Sequence, residues 1–542
     1  MSAGHVRAAH LLALASVSLV NNAYAAAGPV LPVQPTTPDA APAQLTLPRA
    51  ATPSSNTVAT AMPRTGWFVD PYLTVSETYT DNIGLEPAER AQSGFITTIA
   101  PGVRVEGIGA SSRVRLNYQR NQLFYSKESG RDTAQNFLDA LLNTEMIDRR
   151  LLLDAGASIT QQSISAFGPQ TSVTENVNNN RTESRALFVS PRLIGQIGST
   201  ADYEVRYRYG VRNSSRTTAG DGDLNEWTGI LKSSNQLAIV SWAVDAQDQT
   251  VDFEGRSPLE RRWVRGTGFY RFHVDARLLV TGGYEAQNYI TSETESNAIY
   301  GAGFEWMPTP RTRLFGLAEN RFFGTGHEFL FSHRTALSAW EYIDVRTVSN
   351  FAAELTGPRG IAFQLLSEAL ASRTPDPRAR EREVEERLRQ NGIPSNLGIA
   401  SGFVTSRPFI QHTRRASMAL LGVRNTITFT AGSTKRTALG AGGGIPDDFT
   451  LSPVIEQRGF GANWAYRLSG LSTLNFLASR TESEGVPSAN LDTHQTLFRV
   501  LLTRQMTPRT WASLGVRHVR FEGSSTPGYT EKAITATLST TF

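Results

Sequence analysis

The strongest constraint on the fold is a two-residue alternation that recurs along the chain, and residues 203–212, YEVRYRYGVR, show it most clearly. Tyrosine or valine occupies every odd position from 203 to 211, and charged side chains occupy positions 204, 206, 208 and 212. Because successive side chains of a β-strand point to opposite faces, this segment has one apolar face and one charged face. Such a strand separates either a protein core from water or membrane lipid from a water-filled lumen.

The lengths of the turns favour lipid and lumen. From Trp67 to Phe542, short turns such as 147–150 and 197–200 alternate with long polar connections such as 167–183 and 434–453. Short turns at one edge of a sheet and long loops at the other are typical of outer-membrane barrels, whereas a β-sandwich has turns of mixed length at both ends. We therefore predict an all-β fold, a large antiparallel transmembrane β-barrel with an even number of strands, about 22 within a range of about 18 to 26.

The N-terminal residues predict export. An apolar run at 11–20 follows a weakly basic start. Ala23-Tyr24-Ala25 comes after this run and has the small-x-small cleavage pattern, which predicts a secretory signal peptide, 1–25. Residues 26–66 are rich in Pro, Ala and Thr, and this composition predicts a disordered periplasmic tail before the barrel, 67–542. The chain has no cysteine, so disulfides do not stabilise the exported fold. The net charge of +4 is small and scattered, which argues against nucleic acid as a partner.

One region, 350–407, departs from the strand pattern and predicts a partly helical insert. IAFQLLSEALAS has roughly helical apolar spacing, and the following DPRAREREVEERLRQNG places Asp376 as N-cap, Pro377 at the first helical position and Gly392 just past the end. The insert is either a solvated helix on an extended loop or a plug that folds into the lumen and gates it. Strand parity places it at the extracellular edge, although a count wrong by one strand would move it to the periplasm.

If the apolar faces meet lipid, the charged faces point into the lumen. An arginine that faces lipid at the bilayer midplane costs about 2–4 kcal/mol, so the alternation is required. Arginines in the lumen either attract anions into a passage or pair with acids on neighbouring strands and brace the wall. The residues predicted to line the lumen are Glu204, Arg206, Arg208, Arg265, Arg271, Arg424, Arg467 and Arg499.

The last segment, KAITATLSTTF, ends the sequence on Phe542, with Leu538 and Ala536 in the same alternating register. It resembles the C-terminal signal that outer-membrane barrels present to the barrel assembly machinery, although Thr540 stands where that pattern prefers an apolar residue. This segment predicts that the assembly machinery and outer-membrane lipid are partners, and that the protein resides in the outer membrane.

Four segments carry a family resemblance: 69–85 (VDPYLTVSETYTDNIGL), 95–105 (FITTIAPGVRV), 114–126 (VRLNYQRNQLFYS) and 414–432 (RRASMALLGVRNTITFTAG). Together they resemble the outer-membrane protein family associated with PEP-CTERM protein-sorting systems, over most of the chain after Trp67. The resemblance implies a Gram-negative outer-membrane barrel that accompanies exosortase sorting and exopolysaccharide production. It therefore implies an exopolysaccharide or export-system proteins as partners, and it carries over no functional residue.

Motifs of catalysis are missing from the sequence. The histidines are isolated, no H-x-x-x-H pair occurs, and there is neither a G-x-S-x-G elbow nor a P-loop. We therefore predict no catalytic residue, no cofactor and no metal site. The main hypothesis is a non-enzymatic barrel that conducts or helps export a polar solute or polysaccharide, with an anionic exopolysaccharide as one candidate. The alternatives are a structural or assembly barrel whose loops bind surface polymer or protein, and a barrel-wall hydrolase in which His494 or His518 meets a serine of a neighbouring strand.

Overall fold

The strands form one closed antiparallel sheet. The computed structural model describes residues 66–127, 129–170, 178–236, 238–349, 361–371, 374, 376–391, 402–440, 446–487 and 490–542. Each of the 22 strands in this part of the chain pairs with the next one in sequence, and β22 pairs with β1, so the predicted barrel and its even strand number are confirmed. None of the described helices is long and apolar enough to cross a membrane.

The strands have the following bounds: β1 (Gly66–Thr80), β2 (Gly94–Ile108), β3 (Ser112–Tyr125), β4 (Thr133–Ile147), β5 (Leu151–Ser163), β6 (Arg181–Ile197), β7 (Ala201–Ser214), β8 (Gly222–Ser233), β9 (Val240–Phe253), β10 (Leu259–His273), β11 (Ala276–Gln287), β12 (Glu295–Thr309), β13 (Thr312–Arg321), β14 (Gly324–Arg334), β15 (Ser338–Val348), β16 (Phe409–Leu421), β17 (Asn425–Ala438), β18 (Val454–Arg467), β19 (Ser472–Val486), β20 (Asp492–Thr507), β21 (Thr510–Gly523) and β22 (Tyr529–Thr541).

Three α-helices lie between strands in the described part of the chain. They are α1 (Ile361–Leu370) and α2 (Pro377–Asn391), both in the β15–β16 insert, and the single turn α3 (Asp448–Leu451) between β17 and β18. Asp376 caps α2 as predicted, because its Oδ2 accepts a hydrogen bond of 3.0 Å from the Ala379 N–H. The predicted stop at Gly392, the signal peptide 1–25 and the tail to residue 65 lie outside the described residues. β1 begins at Gly66, one residue before the predicted boundary.

The two edges of the barrel differ as the turn lengths predicted. Connections such as 274–275, 310–311 and 198–200 lie at one edge, which we call the short-turn edge, and Gly198 turns the chain there with a φ of +58°. The other edge, the long-loop edge, carries the connections 81–93, 164–180 and 439–453 and the insert between β15 and β16. β1 starts and β22 ends at the short-turn edge.

The register separates an outer wall from an inner wall. Residues directly opposite each other on paired strands share a face, so the pairing carries one face around the whole barrel. On β7, Tyr209 is 40% exposed and lies on the outer face, whereas the Arg208 side chain is 15% exposed and lies on the inner face. The outer wall carries a continuous set of exposed large apolar side chains, among them Val75, Ile99, Leu187, Val189, Trp227, Trp242, Val264, Tyr270, Val280, Tyr300, Phe304, Phe429, Phe460, Trp464, Phe498, Leu514, Val516 and Ile534.

This outer wall fits contact with lipid acyl chains. The tyrosine and valine face of residues 203–212 belongs to it, and the charged face of the same strand belongs to the inner wall. The alternation therefore separates lipid from the barrel lumen.

Candidate functional site

The predicted lumen residues fall into three groups. Glu204, Arg206, Arg208, Arg265 and Arg499 lie on the inner face within their strands. Arg271 and Arg467 have inner-face register but stand at the short-turn edge, where Arg271 donates a hydrogen bond of 3.0 Å to the Gln236 carbonyl. Arg424 lies in the exposed 422–424 turn, not in a strand, because β17 begins one residue later, at Asn425. It therefore does not line the wall of the lumen.

The inner-wall arginines of β6 and β7 are paired with acids. Arg206 Nη2 lies 2.9 Å from Glu204 Oε1, and Arg192 Nη1 lies 3.7 Å from Glu204 Oε2. Arg208 Nη1 lies 3.6 Å from Glu226 Oε1 on β8. Glu226 is buried, whereas Arg192, Glu204 and Arg206 are partly exposed, so this stretch of wall presents both charge signs to the lumen. Bracing of the wall, one of the two roles left open by the sequence, is present at these positions.

Further along the wall, from β9 to β13, the inner wall is densely packed. The Arg265 side chain is 2% exposed and lies between Asp245 Oδ2 at 2.9 Å and Glu319 Oε1 at 2.8 Å. Arg321 extends the chain of charges, with Glu319 at 3.6 Å and Glu285 at 2.6 Å. Each charge of this network has an oppositely charged partner, on the paired strand for Asp245 with Arg265 and between β10 and β13 for Arg265 with Glu319. Such pairing is the condition under which buried ions are tolerated.

The insert enters the lumen and does not project as a solvated helix. One face of α1 is fully buried against inner-wall residues at the short-turn ends of β15 and β16. This apolar anchor consists of Leu365, Leu366, Ala369 and Leu370 of α1 with Ala339, Ala419 and Leu421 of the wall. Arg334 at the end of β14 adds an ion pair of 3.4 Å to Glu368.

The second helix reaches the opposite wall. Glu381 of α2 lies 3.2 Å from Arg113 Nη2 and 2.8 Å from Arg115 Nη1, both on β3. Arg115 also lies 3.3 Å from Glu385 on the next helical turn. β3 and the β15–β16 pair occupy roughly opposite sectors of the barrel, so one helical pair that contacts both must cross the lumen. We call α1 and α2 together the plug.

A loop covers the lumen at the long-loop edge. Residues 164–170 leave β5 and cross the mouth of the barrel to β20–β22, where Gln495 and Tyr529 donate hydrogen bonds of 2.9 and 2.6 Å to the Gln170 carbonyl. Phe167 packs with Phe449 of α3 in a buried apolar cluster. We call residues 164–170 with α3 the cap.

One titratable group lies inside the cap. Asp448 of α3 is buried and accepts a hydrogen bond of 2.6 Å from the Ala166 N–H. The pKa of Asp448 is raised to about 6. Burial is the main cause, and the charge of the neighbouring Asp447 also raises the pKa, whereas the hydrogen bonds from Ser165 and the Ala166 N–H lower it.

The predicted assembly signal lies at the seam that closes the barrel. Leu538 pairs with Val75 and Ala536 with Glu77 on β1, and Phe542 donates its N–H to the Pro71 carbonyl. Leu538, Ala536 and Phe542 are exposed on the outer face, and recognition by the assembly machinery stays a prediction.

The two histidines considered for hydrolysis lie on the outer wall. His494 Nδ1 is 3.5 Å from Glu482 Oε1, and its Nε2 is 3.3 Å from Asp492. His518 stands opposite Phe498 and Lys532 in the register. The contacts described for His494 and His518 join neither of them to a serine.

The structure also contains a cluster of two histidines and an aspartate that the sequence did not indicate. His327, Asp344 and His412 come from three neighbouring strands and place one ligand atom each within 4.8 Å of the others. Residue spacing could not reveal it, because three strands that pair across the sheet bring together positions as much as 85 residues apart in sequence (412 − 327). The prediction of no metal site did not consider this cluster, which joins three residues of metal-ligating type.

Comparisons with known proteins match the barrel architecture only. No family model and no curated protein matches the chain. Among solved structures, it is similar to the siderophore receptor PirA from Pseudomonas aeruginosa at 10% identity over 89% of this chain and 81% of that one, with a TM-score of 0.39. It is similar to the FrpB iron transporter from Neisseria meningitidis at 9% identity over 87% and 81%, with a TM-score of 0.47. It is also similar to OccK1 from Pseudomonas aeruginosa at 8% identity over 88% and 99%, with a TM-score of 0.31. The assignment as a barrel depends on the register and closure of the sheet itself.

Proposed function

We propose that this chain is a non-enzymatic outer-membrane β-barrel that passes a polar solute through a lumen gated by its own β15–β16 insert. The observation that carries the proposal is the plug, which joins opposite walls of the barrel. The apolar outer wall and the even number of strands, with both barrel ends at one edge, support a membrane-spanning barrel.

The plug is attached differently at its two ends. α1 is held by a buried apolar contact with β15 and β16, the two strands that carry the insert. α2 meets the far wall of β3 through the ion pairs of Glu381 with Arg113 and Arg115, which are partly exposed to solvent. Partly exposed ion pairs are weaker than an apolar contact of this size and are screened by salt. We therefore infer that α2 leaves β3 while α1 stays in place, which opens a path along the β3–β7 wall.

The orientation of the barrel in the membrane is inferred from the predicted signal peptide and tail. A tail that precedes β1 lies on the periplasmic side, so the short-turn edge faces the periplasm and the long-loop edge with the cap faces outward. The plug then closes the periplasmic half of the lumen, and the cap closes the external mouth. Two closures in series suit a barrel that opens only when its solute or a partner is present.

The solute class is inferred from the wall. Between β3 and β7 the inner wall presents Asp139, Asp154, Arg192, Glu204 and Arg206, which are polar and of mixed sign. A polar, sugar-rich polymer suits such a surface, and an anionic exopolysaccharide is the candidate that the sequence resemblance to PEP-CTERM-associated barrels adds. The proposed partners are outer-membrane lipid, the barrel assembly machinery, and exopolysaccharide or proteins of its export system.

Electrical recording in planar bilayers tests the gate. The purified full-length protein is compared with a variant in which residues 350–407 are replaced by a short Gly-Ser linker, after both are shown to fold by heat-modifiable mobility on gels. We expect rare, short openings for the full chain and a stable, larger conductance for the deletion. A folded deletion variant that conducts no more than the full chain would refute gating by the insert.

The ion-pair network of β9–β13 favours a second candidate, a structural barrel whose long loops bind surface polymer or protein. A chain of buried charges from Asp245 to Glu285 stiffens the wall and does not need a passage. If the deletion variant stays closed while the folded protein retains a purified surface polysaccharide in a pull-down, this second function replaces the first.

A further inference from the structure

His327, Asp344 and His412 lie together on the outer wall near the long-loop edge. In the register, Arg346 on β15 lies between His327 on β14 and His412 on β16. Asp344 lies two residues before Arg346 and on the same face of β15. Both imidazoles converge on one carboxylate oxygen: His327 Nε2 lies 2.9 Å and His412 Nε2 lies 2.7 Å from Asp344 Oδ1. The two rings are 5.1 Å apart and nearly perpendicular.

This convergence differs from three other ion pairs of the outer wall. Arg458 with Glu456, Arg480 with Glu482, and Arg520 with Glu522 are pairs of opposite charge two residues apart on one strand. The His–Asp–His cluster instead joins three strands and directs three ligand atoms to one point.

The second carboxylate oxygen is held separately. Arg414 Nε lies 3.3 Å from Asp344 Oδ2, which leaves Oδ1 for the imidazoles, as an outer-shell partner orients a metal-binding carboxylate. Arg346 on β15 turns its guanidinium away, to the carbonyls of Thr325 and Phe323. Lys435 on β17 stands opposite His412 and is exposed. These cations lower the affinity for a metal without occupying the point where the ligand atoms meet.

We propose that His327, Asp344 and His412 bind a divalent transition metal ion, Zn²⁺ foremost, with water completing its coordination. Two imidazole nitrogens and a carboxylate oxygen match the ligand preference of Zn²⁺, at bond lengths of about 2.0–2.2 Å. A tetrahedral ion needs about 3.3 Å between ligand atoms, so each imidazole moves about 0.5 Å from Asp344 as the ion replaces the two N–H hydrogen bonds. The ligands are partly exposed, at 21–31%, so the ion enters from the medium.

A bound ion would connect β14, β15 and β16, the strands at the root of the insert. Ligands that bind only the folded state stabilise it, so the metal is expected to raise the melting temperature of the barrel. The site is independent of the proposed transport function, since it lies on the outer face and contacts neither the plug nor the cap.

Zinc titration of the full-length protein in detergent, freed of metal with a chelator, tests the site. At pH 7.5 we expect one tightly bound Zn²⁺ per chain, and a rise in melting temperature that saturates at the same ratio. The variants are His327→Gln and His412→Gln, in which the glutamine amide still donates to Asp344 but is a poor zinc ligand. Each is expected to bind zinc at least about tenfold more weakly and to lose the thermal shift.

The matched control is His333→Ala on the same strand β14, where His333 bonds to Thr312 and not to the cluster. This control should keep the wild-type zinc affinity and thermal shift. Lowering the pH to 5.5 should weaken binding in the wild type, since protonated imidazole cannot bind metal. The proposal is overturned if the wild type takes up no zinc, or if both glutamine variants bind it as tightly as the wild type does.

Discussion

The Glu381→Gln variant tests how the plug is held. Glu381 receives two guanidinium groups of β3, at 3.2 Å from Arg113 and 2.8 Å from Arg115, and its side chain is 13% exposed. The substitution keeps the size of the side chain and removes its charge. The single amide oxygen can accept from one guanidinium, and the other arginine loses its acceptor, because the two arginines contact different oxygens of Glu381. Fully exposed pairs are worth about 0–1 kcal/mol, and breaking a buried pair costs about 3–5 kcal/mol.

Because these arginines are 22–35% exposed, the expected loss lies between those limits, at about 1–3 kcal/mol. That difference raises the population of the released plug by a factor of about 5 to 150. Single-channel recording measures it as an increase in open probability at unchanged conductance of the open state. The exchanged pair Arg115→Glu with Glu381→Arg should restore part of the closed population, as a double-mutant cycle requires.

The matched control is Glu383→Gln on the same helix. Glu383 bonds to Thr374 and pairs with Arg387, and both lie within the insert. This control should leave the open probability within about threefold of the wild type, since an i,i+4 pair on a helix contributes about 0.3–0.5 kcal/mol. If Glu381→Gln gates no differently from Glu383→Gln, then the contacts with β3 do not hold the plug closed.

Three further predictions concern the wall and the cap. Arg265→Met leaves two buried carboxylates without their main partner and should lower the free energy of unfolding by about 3–5 kcal/mol in urea titrations, whereas Arg262→Met at an exposed outer-wall pair should cost less than about 1 kcal/mol; equal losses would refute the buried network. Because burial raises the pKa of Asp448, its contribution to cap stability is present below pH of about 4 and is lost as the pH rises through about 6, by up to about 3 kcal/mol. The protection factors of amides 164–170, in which the intrinsic rise of the exchange rate with pH is divided out, should therefore be lower at pH 7.5 than at pH 5, and Asp448→Asn should remove this difference; protection that is higher at pH 7.5 in the wild type would contradict it. Arg206→Glu with Arg208→Glu should shift the ion selectivity of the open state toward cations, measured as a reversal potential, and an unchanged potential would place both side chains outside the conducting path.

The alternation of residue types was sufficient to predict the barrel. A register slip of one residue would exchange the lipid and lumen faces of a strand, so the pattern in a stretch such as 203–212 fixes which face is outside. The alternation of turn lengths gave the two edges and the even strand count. Arg424 was misplaced because the sequence 423–431 alternates through the turn, and only backbone hydrogen bonding shows that the strand begins at Asn425.

The plug and the His–Asp–His cluster depend on contacts between distant parts of the chain. The charges of α2 indicated a helix, but balanced charges suit both solvent and a charged wall, so the partner of Glu381 on β3 could not be read from the insert alone. In the same way, His327 and His412 become neighbours only because β15 lies between β14 and β16. The sequence thus predicts faces and elements, and the closure of the sheet decides which faces meet.

The position of α2 is the central claim, and a distance between spin labels measures it most directly. The chain has no cysteine, so labels attach only at introduced sites, Ala379→Cys on α2 and Asn117→Cys on the inner face of β3. We expect a narrow distribution of distances between the two labels, at short distance, in the membrane-inserted protein, and we expect it to broaden and shift to longer distance when Glu381→Gln is added. A broad distribution at long distance in the otherwise unchanged protein would show that α2 lies outside the lumen and would contradict the account.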